Sequence, residues 1–370
     1  MHNQHIEQGW GKKRPIGRRL LWVVLASIAI TFSSARTARA DATAADPAKL
    51  ITALRKPNVT REQRQQIADQ LLGMGEEGAR QLARYAGFDV EPKMMLYLSQ
   101  LEQTAGGIVR DRVKAAGGTL KAHAEVTALR EKSLAVSRKG EPSKEAIKEI
   151  CDPAVARLTE LLAVTPEQAA AAQAELTGKR AAVLQLADLY HTAIEKLPED
   201  KRKGMPTLPP TEEVEKLMAL REELACLMAM PMKPQDRGAL TANLRLAPQL
   251  DPAEAVGVAE LNRLRLLLGL NAQTIDLKLC KASRDHSKDM AEKNFFAHES
   301  PVPGKETPWK RAELAGTKAS AENIYMGRED GKEPIKAWWY SPGHHVNMMK
   351  DAPRVGLGRH EKHWTQLFGR

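Results

Sequence analysis

The apolar residues change period at the end of this chain, and that change restricts the fold more than any other feature. From Val355 they alternate with glycine, as Val355-Gly356-Leu357-Gly358, and from His363 to Phe368 one side reads Trp364, Gln366, Phe368 while the other reads His363, Thr365, Leu367. A period of two is that of a strand, and the polar stretch His360 to Lys362 between the runs predicts an antiparallel hairpin. Almost everything before it has helical spacing. A hairpin cannot bury two faces alone, so helices must cover it, and the expected class is α+β: several helices around a small antiparallel sheet.

The helices nearest the hairpin are signposted. Asp251-Pro252-Ala253-Glu254 offers an N-cap carboxylate, a proline in the first turn and an acid at the third helical position. Leu261, Leu264 and Leu268 then share a face before Gly269. A second helix is expected from near Asp276 to about Lys293, burying Leu279, Ala282, His286 and Met290, with His286 read as a buried, hydrogen-bonded structural residue. Thr307 and Pro308 open a third, turning Trp309 and Leu314 inward, and a fourth covers roughly Lys332 to Trp339.

Composition separates this end from the rest. Between Asp41 and Gln249 the only aromatic residues are Tyr85, Phe88, Tyr97 and Tyr190, whereas the last third holds nine, with six of the ten histidines. The middle reads as successive amphipathic helices. Thr60-Arg61-Glu62-Gln63 and Thr165-Pro166-Glu167-Gln168 carry the reciprocal capping pattern of a hydroxyl and a glutamine three residues on. Breaks are expected at Gly106-Gly107, Gly117-Gly118 and Gly140 to Pro142. Residues 41–197 therefore form a helical region, read as a scaffold or spacer, and 198–250 a proline-rich linker with one helix at about 211–230.

The first forty residues read as an export signal. Lys12, Lys13, Arg14, Arg18 and Arg19 precede the apolar run Leu20 to Phe32, which at ~1.5 Å per residue falls short of a ~30 Å hydrocarbon core. Ala38-Arg39-Ala40 is a small-x-small cleavage site, making Asp41 the expected mature N-terminus, with no transmembrane span in the mature chain; an uncleaved anchor is the competing reading. Either places the working part outside the cytoplasm, whether secreted, periplasmic or at the cell surface. The net charge of +10 lies partly in this leader. Elsewhere acids and bases alternate, which describes a solvated helical surface and no nucleic-acid module. Cys151, Cys226 and Cys280 lack metal-ligand spacing, and only Cys151 with Cys226 is left open to bridging.

Eight short runs carry a resemblance. Leu261-Asn262-Arg263-Leu264-Arg265, Asp285 to Met290, Asn294-Phe295-Phe296-Ala297-His298, Thr307 to Arg311, Ala321-Glu322-Asn323-Ile324, Ser341-Pro342-Gly343-His344, Val355 to Gly358 and Trp364-Thr365-Gln366 follow in order. Over about residues 252–370 they resemble the bacterial branch of the CAP superfamily (cysteine-rich secretory proteins, antigen 5, pathogenesis-related 1), also called the SCP domain. The resemblance implies a three-layer α-β-α sandwich over 251–370 and an extracytoplasmic protein. It also implies a cleft, which in animal and plant members holds two histidines and two glutamates. His298 matches the first histidine, Glu322 the glutamate of the Gly-Glu-Asn motif, and His344 the histidine after a glycine. Ala321 replaces the usual glycine, and the second glutamate has no counterpart, because Trp339-Tyr340-Ser341 runs into Pro342.

Two imidazoles and a carboxylate suit zinc, with a position left open for an anionic ligand or for water. His298, Glu322 and His344 are thus the candidate metal set and zinc the candidate cofactor. His345 is a rival ligand, but one residue along a helix points about 100° away. The bland alternative is a hydrogen-bonded network that pins loops across the cleft. No serine, cysteine or carboxylate pair stands out as a nucleophile, and Ser300 reads as a turn residue. The leading expectation is an exported, non-catalytic domain that binds a metal or a ligand of the envelope or the cell exterior. A metal-dependent hydrolase at the same cleft is one alternative, and partner binding by the helical region is the other.

Overall fold

Among the described residues, ten α-helices precede the C-terminal part that carries the hairpin. The computed structural model describes residues 46–138 and 140–370, so the expected export signal and its cleavage site lie outside the described residues. The helices are α1 (Pro47–Leu54), α2 (Arg61–Gly73), α3 (Glu76–Ala115), α4 (Thr119–Arg138), α5 (Lys144–Ala146), α6 (Asp152–Leu162), α7 (Pro166–Ala172), α8 (Glu175–Glu195), α9 (Thr211–Met228) and α10 (Pro234–Leu246). Both predicted capping boxes form: Thr60 Oγ accepts from Gln63 N at 3.2 Å, and Thr165 Oγ accepts from Gln168 N at 3.3 Å.

The expected break at Gly106-Gly107 does not occur, because α3 runs through it, and through Pro92, for 40 residues. A glycine costs only ~1 kcal/mol in a helix, less than the burial of Met94, Tyr97, Leu98 and Leu101 in one core with Leu186 and Tyr190 of α8 returns. The stretch 198–250 holds two helices where one was expected. Pro234 stands at the start of α10, where a proline opens a helix as readily as it ends one. Nor does 198–210 hang free: Met205 and Leu208 pack on the helical core, Pro206 O accepts from Tyr190 Oη, and His191 Nε2 donates to Pro209 O at 2.8 Å.

The C-terminal part consists of α11 (Pro252–Leu267), β1 (Thr274–Ile275), α12 (Leu277–Glu292), α13 (Pro308–Leu314), β2 (Ala321–Met326), α14 (Lys332–Trp339), α15 (Pro342–Met349), β3 (Arg354–His360) and β4 (His363–Gly369). The predicted hairpin is β3–β4, and Glu361 turns it with φ 49°. The sheet is larger than expected and mixed. Its order is β1-β3-β4-β2, with β1 parallel to β3 and the other pairs antiparallel.

α12 lies on one face of the sheet, and α11, α14 and α15 lie on the other, giving three layers. Gly356 and Gly358 set the spacing of α12. A Cβ on Gly358 would sit 2.1 Å from Arg284 N, and one on Gly356 would sit 2.3 Å from Leu279 C. The bare backbone lets Ser287 Oγ donate to Gly358 O at 2.9 Å.

The helical region, read as a scaffold or spacer, shares a core with the C-terminal part. Ile147, Cys151, Leu158, Leu161 and Leu162, with Leu220, Leu224 and Leu227 of α9, belong to one core with Val258, Leu261, Trp338, Leu357 and Phe368. Polar bonds reinforce the join. Trp339 Nε1 and Tyr340 Oη each donate at 2.9 Å to a different oxygen of Asp152, and Arg130 donates to Leu266 O and Leu267 O. No disulfide links Cys151 to Cys226: both thiols are free and buried in separate cores, and burial pushes them up to about 11 and about 12.

Candidate functional site

β2 is an edge strand of the sheet, so segments from both helical layers can meet beside it. One is the loop that leaves α12 at Asn294, which takes the left-handed φ of 54° that asparagine tolerates. Local bonds shape this loop. His286 Nε2 donates to Ala297 O at 3.1 Å, Ser300 N donates to Glu306 O at 2.9 Å, and Ser300 Oγ accepts from Val302 N at 3.2 Å. Ser300 is thus a turn residue. His286 is fully buried, as its place on the apolar stripe predicted, and burial lowers its pKa to about 4.

The loop brings His298 to Glu322, the second residue of β2. His298 Nδ1 and Glu322 Oε1 are 2.9 Å apart. A carboxylate only accepts, so Nδ1 carries the proton and, in the neutral ring, Nε2 keeps its lone pair. The imidazole is half-exposed, whereas the carboxylate is 2% exposed.

The other oxygen, Oε2, is taken by Arg311 Nη2 at 2.6 Å, in an ion pair whose side chains are 1% and 2% exposed. The same guanidinium donates to His298 O and to Lys305 O, each at 2.9 Å. One arginine of α13 therefore fastens both ends of the 298–305 loop to β2. Its demand sets the pose of α13. Arg311 and Ala312 face inward, and Trp309 and Leu314, expected to be buried, are 50% and 68% exposed.

From the opposite layer, α15 brings the His344 ring to 6.2 Å from that of His298, centroid to centroid. Burial, and then the neighbouring His298, hold the His344 pKa below its ordinary value. His345 turns away. Its Nδ1 donates to Trp339 O at 2.8 Å and its Nε2 accepts from Ser137 Oγ at 3.0 Å, so both nitrogens are engaged in the seam with the helical region. Behind His344 lies a buried amide lattice. Asn323 Nδ2 donates to Gln366 Oε1 at 2.9 Å, and Asn347 Nδ2 donates to Asn323 Oδ1 at 3.0 Å.

The three candidates are therefore neighbours, in the order His344, His298, Glu322. Among the described residues no group of three or more His, Cys, Asp and Glu side chains is arranged to hold a metal ion. Both Glu322 oxygens are engaged, one by a cation. The residues that the sequence reading passed over are Arg311, Asn323, Asn347 and Asp152. Arg311 carried no local signal, because Trp309 and Leu314 were the residues read as turning inward on its helix.

The model of the CAP family, described as the cysteine-rich secretory protein family, matches residues 258–368. Two proteins of Bacillus subtilis (strain 168) align with part of the chain. The uncharacterized protein YkwD is 36% identical over 126 residues, which is 33% of this chain and 49% of YkwD. The uncharacterized membrane protein YlbC is 29% identical over 108 residues, 29% of this chain and 31% of YlbC. The chain thus spans about half, or less, of the length of these relatives. Among solved structures, an extracellular protein containing an SCP domain from Bacillus anthracis str. Ames is 26% identical, with a TM-score of 0.31 and coverage of 38% of this chain and 44% of that one. An outer surface protein of Borrelia burgdorferi is 23% identical, with a TM-score of 0.29, and covers 33% of this chain and 96% of its own.

Proposed function

Residues 258–368 form a CAP domain of the cysteine-rich secretory protein family, and from that premise we propose that this is an exported, non-catalytic binding protein whose ligand meets the paired imidazoles of His298 and His344. The carrying observation is the 2.9 Å bond from His298 Nδ1 to Glu322, which leaves the other ring nitrogen free beside His344. The two imidazoles alone fall short of the three or four protein ligands usual for zinc, so solvent or ligand atoms would have to complete any set around the ion. His298 and His344 would hold it, with Glu322 behind His298 as the partner that fixes ring and tautomer. A metal held there would supply a positive centre for an anionic group of an envelope or extracellular ligand.

Binding is favoured over hydrolysis by what the neighbours are doing. Both Glu322 oxygens are engaged, so no free carboxylate stands ready as a general base, and Ser300 Oγ is bound into its own turn. Export rests on the basic leader and the apolar run Leu20 to Phe32. Among the described residues no helix is long and apolar enough to cross a membrane.

A second reading, a purely structural network, is favoured by Arg311, which grips the loop and the carboxylate together. Zinc titration of the full chain by calorimetry separates the two. Saturable one-site uptake that is lost in His298→Ala and in His344→Ala supports the binding site. No uptake by the wild type, with a lowered melting temperature in His298→Ala, supports the network.

A further inference from the structure

A cavity of about 880 Å³ lies where the helical region meets the CAP domain, and it shares no lining residue with the His298 cleft. One wall is a face of α11, where Val256, Ala259, Glu260 and Arg263 recur at helical spacing; the other walls come from the α6–α7 corner and the end of α9. The volume falls within the ~300–1,000 Å³ of small-molecule sites, and the floor is apolar: Val164, Leu227, Met230 and Val256.

The charges around the rim are unevenly used. Of the three cations, Arg263 is paired with Glu260 at 2.7 Å and Lys332 with Glu223 at 3.1 Å. Arg112 is turned onto Ala163 O at 2.5 Å and Gln168 Oε1 at 3.2 Å. Two exposed carboxylates are left over. Glu160 pairs only with Arg157, which is outside the lining, and Glu167 has no ion-pair partner among the described residues. A hydrogen bond from Thr165 first, and the charge of Lys332 at longer range, hold the Glu167 carboxyl below the usual carboxylate range, so Glu167 is without a close ion pair but not beyond the reach of the rim cations.

We propose that this cavity is a second binding site, separate from the cleft, for a small amphipathic cation whose apolar body lies on the Val164–Leu227–Val256 floor and whose ammonium group meets Glu160 and Glu167. Neither region can make the site alone, because each supplies one side of it. The joining of a helical region to this CAP domain thus has a binding consequence as well as a structural one.

The test is calorimetric titration of the full chain with decyltrimethylammonium below its micelle concentration, with octyltrimethylammonium and decanoate as comparison probes. The expected result is saturable 1:1 binding, roughly tenfold weaker for the octyl compound because two methylenes are lost. Decanoate should bind at least ~10-fold more weakly, since its charge repels the rim. The double variant Glu160→Gln, Glu167→Gln should weaken the cation about three- to tenfold, the modest worth of two exposed charges. Val256→Trp fills the floor from α11 and Ala163→Trp from the opposite wall; each should abolish uptake, with circular dichroism reporting the fold. Equal binding of decanoate, no saturable uptake, or uptake that survives in a folded tryptophan variant overturns the proposal.

Discussion

Arg311→Met tests whether the buried ion pair holds the cleft together. The change removes a guanidinium that is 1% exposed and leaves the Glu322 charge 2% exposed, with only the His298 ring still bonded to it. An uncompensated buried charge of this kind costs about 3–5 kcal/mol. Two loop carbonyls also lose donors. Together these two losses, at His298 O and at Lys305 O, add at least ~1 kcal/mol. The expected total, about 4–6 kcal/mol, approaches the ~5–15 kcal/mol by which whole domains are stable. Glu322→Gln should be similarly costly, because it strands the guanidinium instead. The double variant should recover most of one loss, since no buried charge then remains, which amounts to a coupling of ~2 kcal/mol or more. Urea unfolding followed by far-ultraviolet circular dichroism and tryptophan fluorescence measures all four corners of the cycle. Single losses that add to within ~0.5 kcal/mol in the double variant would refute the reasoning, because Arg311 and Glu322 would then act independently.

Two further outcomes are expected. Asp152→Ala removes both acceptors, so Trp339 Nε1 and Tyr340 Oη lose their shared partner. A loss of about 1–3 kcal/mol in urea unfolding should follow, and a change below ~0.5 kcal/mol would show that the seam bears no weight. His286 gives a pH dependence of known sign. Its folded pKa, lowered from 6.5 to about 4 by burial, means that the folded state favours the neutral ring. Its contribution is intact above pH ~6.5 and is lost as pH falls toward 4, by ~3 kcal/mol in all. Stability measured from pH 7 to pH 4 should therefore fall less steeply in His286→Gln than in the wild type, and equal slopes would contradict the assignment.

How much of this was legible depended on distance along the chain. The caps at Thr60, Thr165, Asp251 and Thr307 were readable because a cap is settled within four residues. The hairpin was readable for the same reason, since its two strands adjoin. β1 and β2 were not: two residues at Thr274 carry no period, and Ala321 to Ile324 is buried on both faces, which erases alternation. The nearness of His298, Glu322 and His344 came from resemblance, because nothing local brings together positions 22 to 46 residues apart. What then ties Glu322 down is decided by Arg311, whose burial depends on the finished sheet. The seam was hidden for a further reason. Apolar stripes on α6 and α9 announce that something covers them but do not say what.

The setting of α11 has a consequence for how this protein tolerates change. One side of that helix lies against the sheet layer and another closes on α6 and α9, leaving eleven of its residues, Glu254, Asn262 and Arg265 among them, shut away from water. Away from the cavity beside Val256 and Ala259, a substitution there has little space into which to relax, so its strain is passed outward in two directions at once. A replacement that looks local to one module is inherited by the other. The two parts are thereby bound to vary in step along this rod, whatever freedom each keeps on its outer surface.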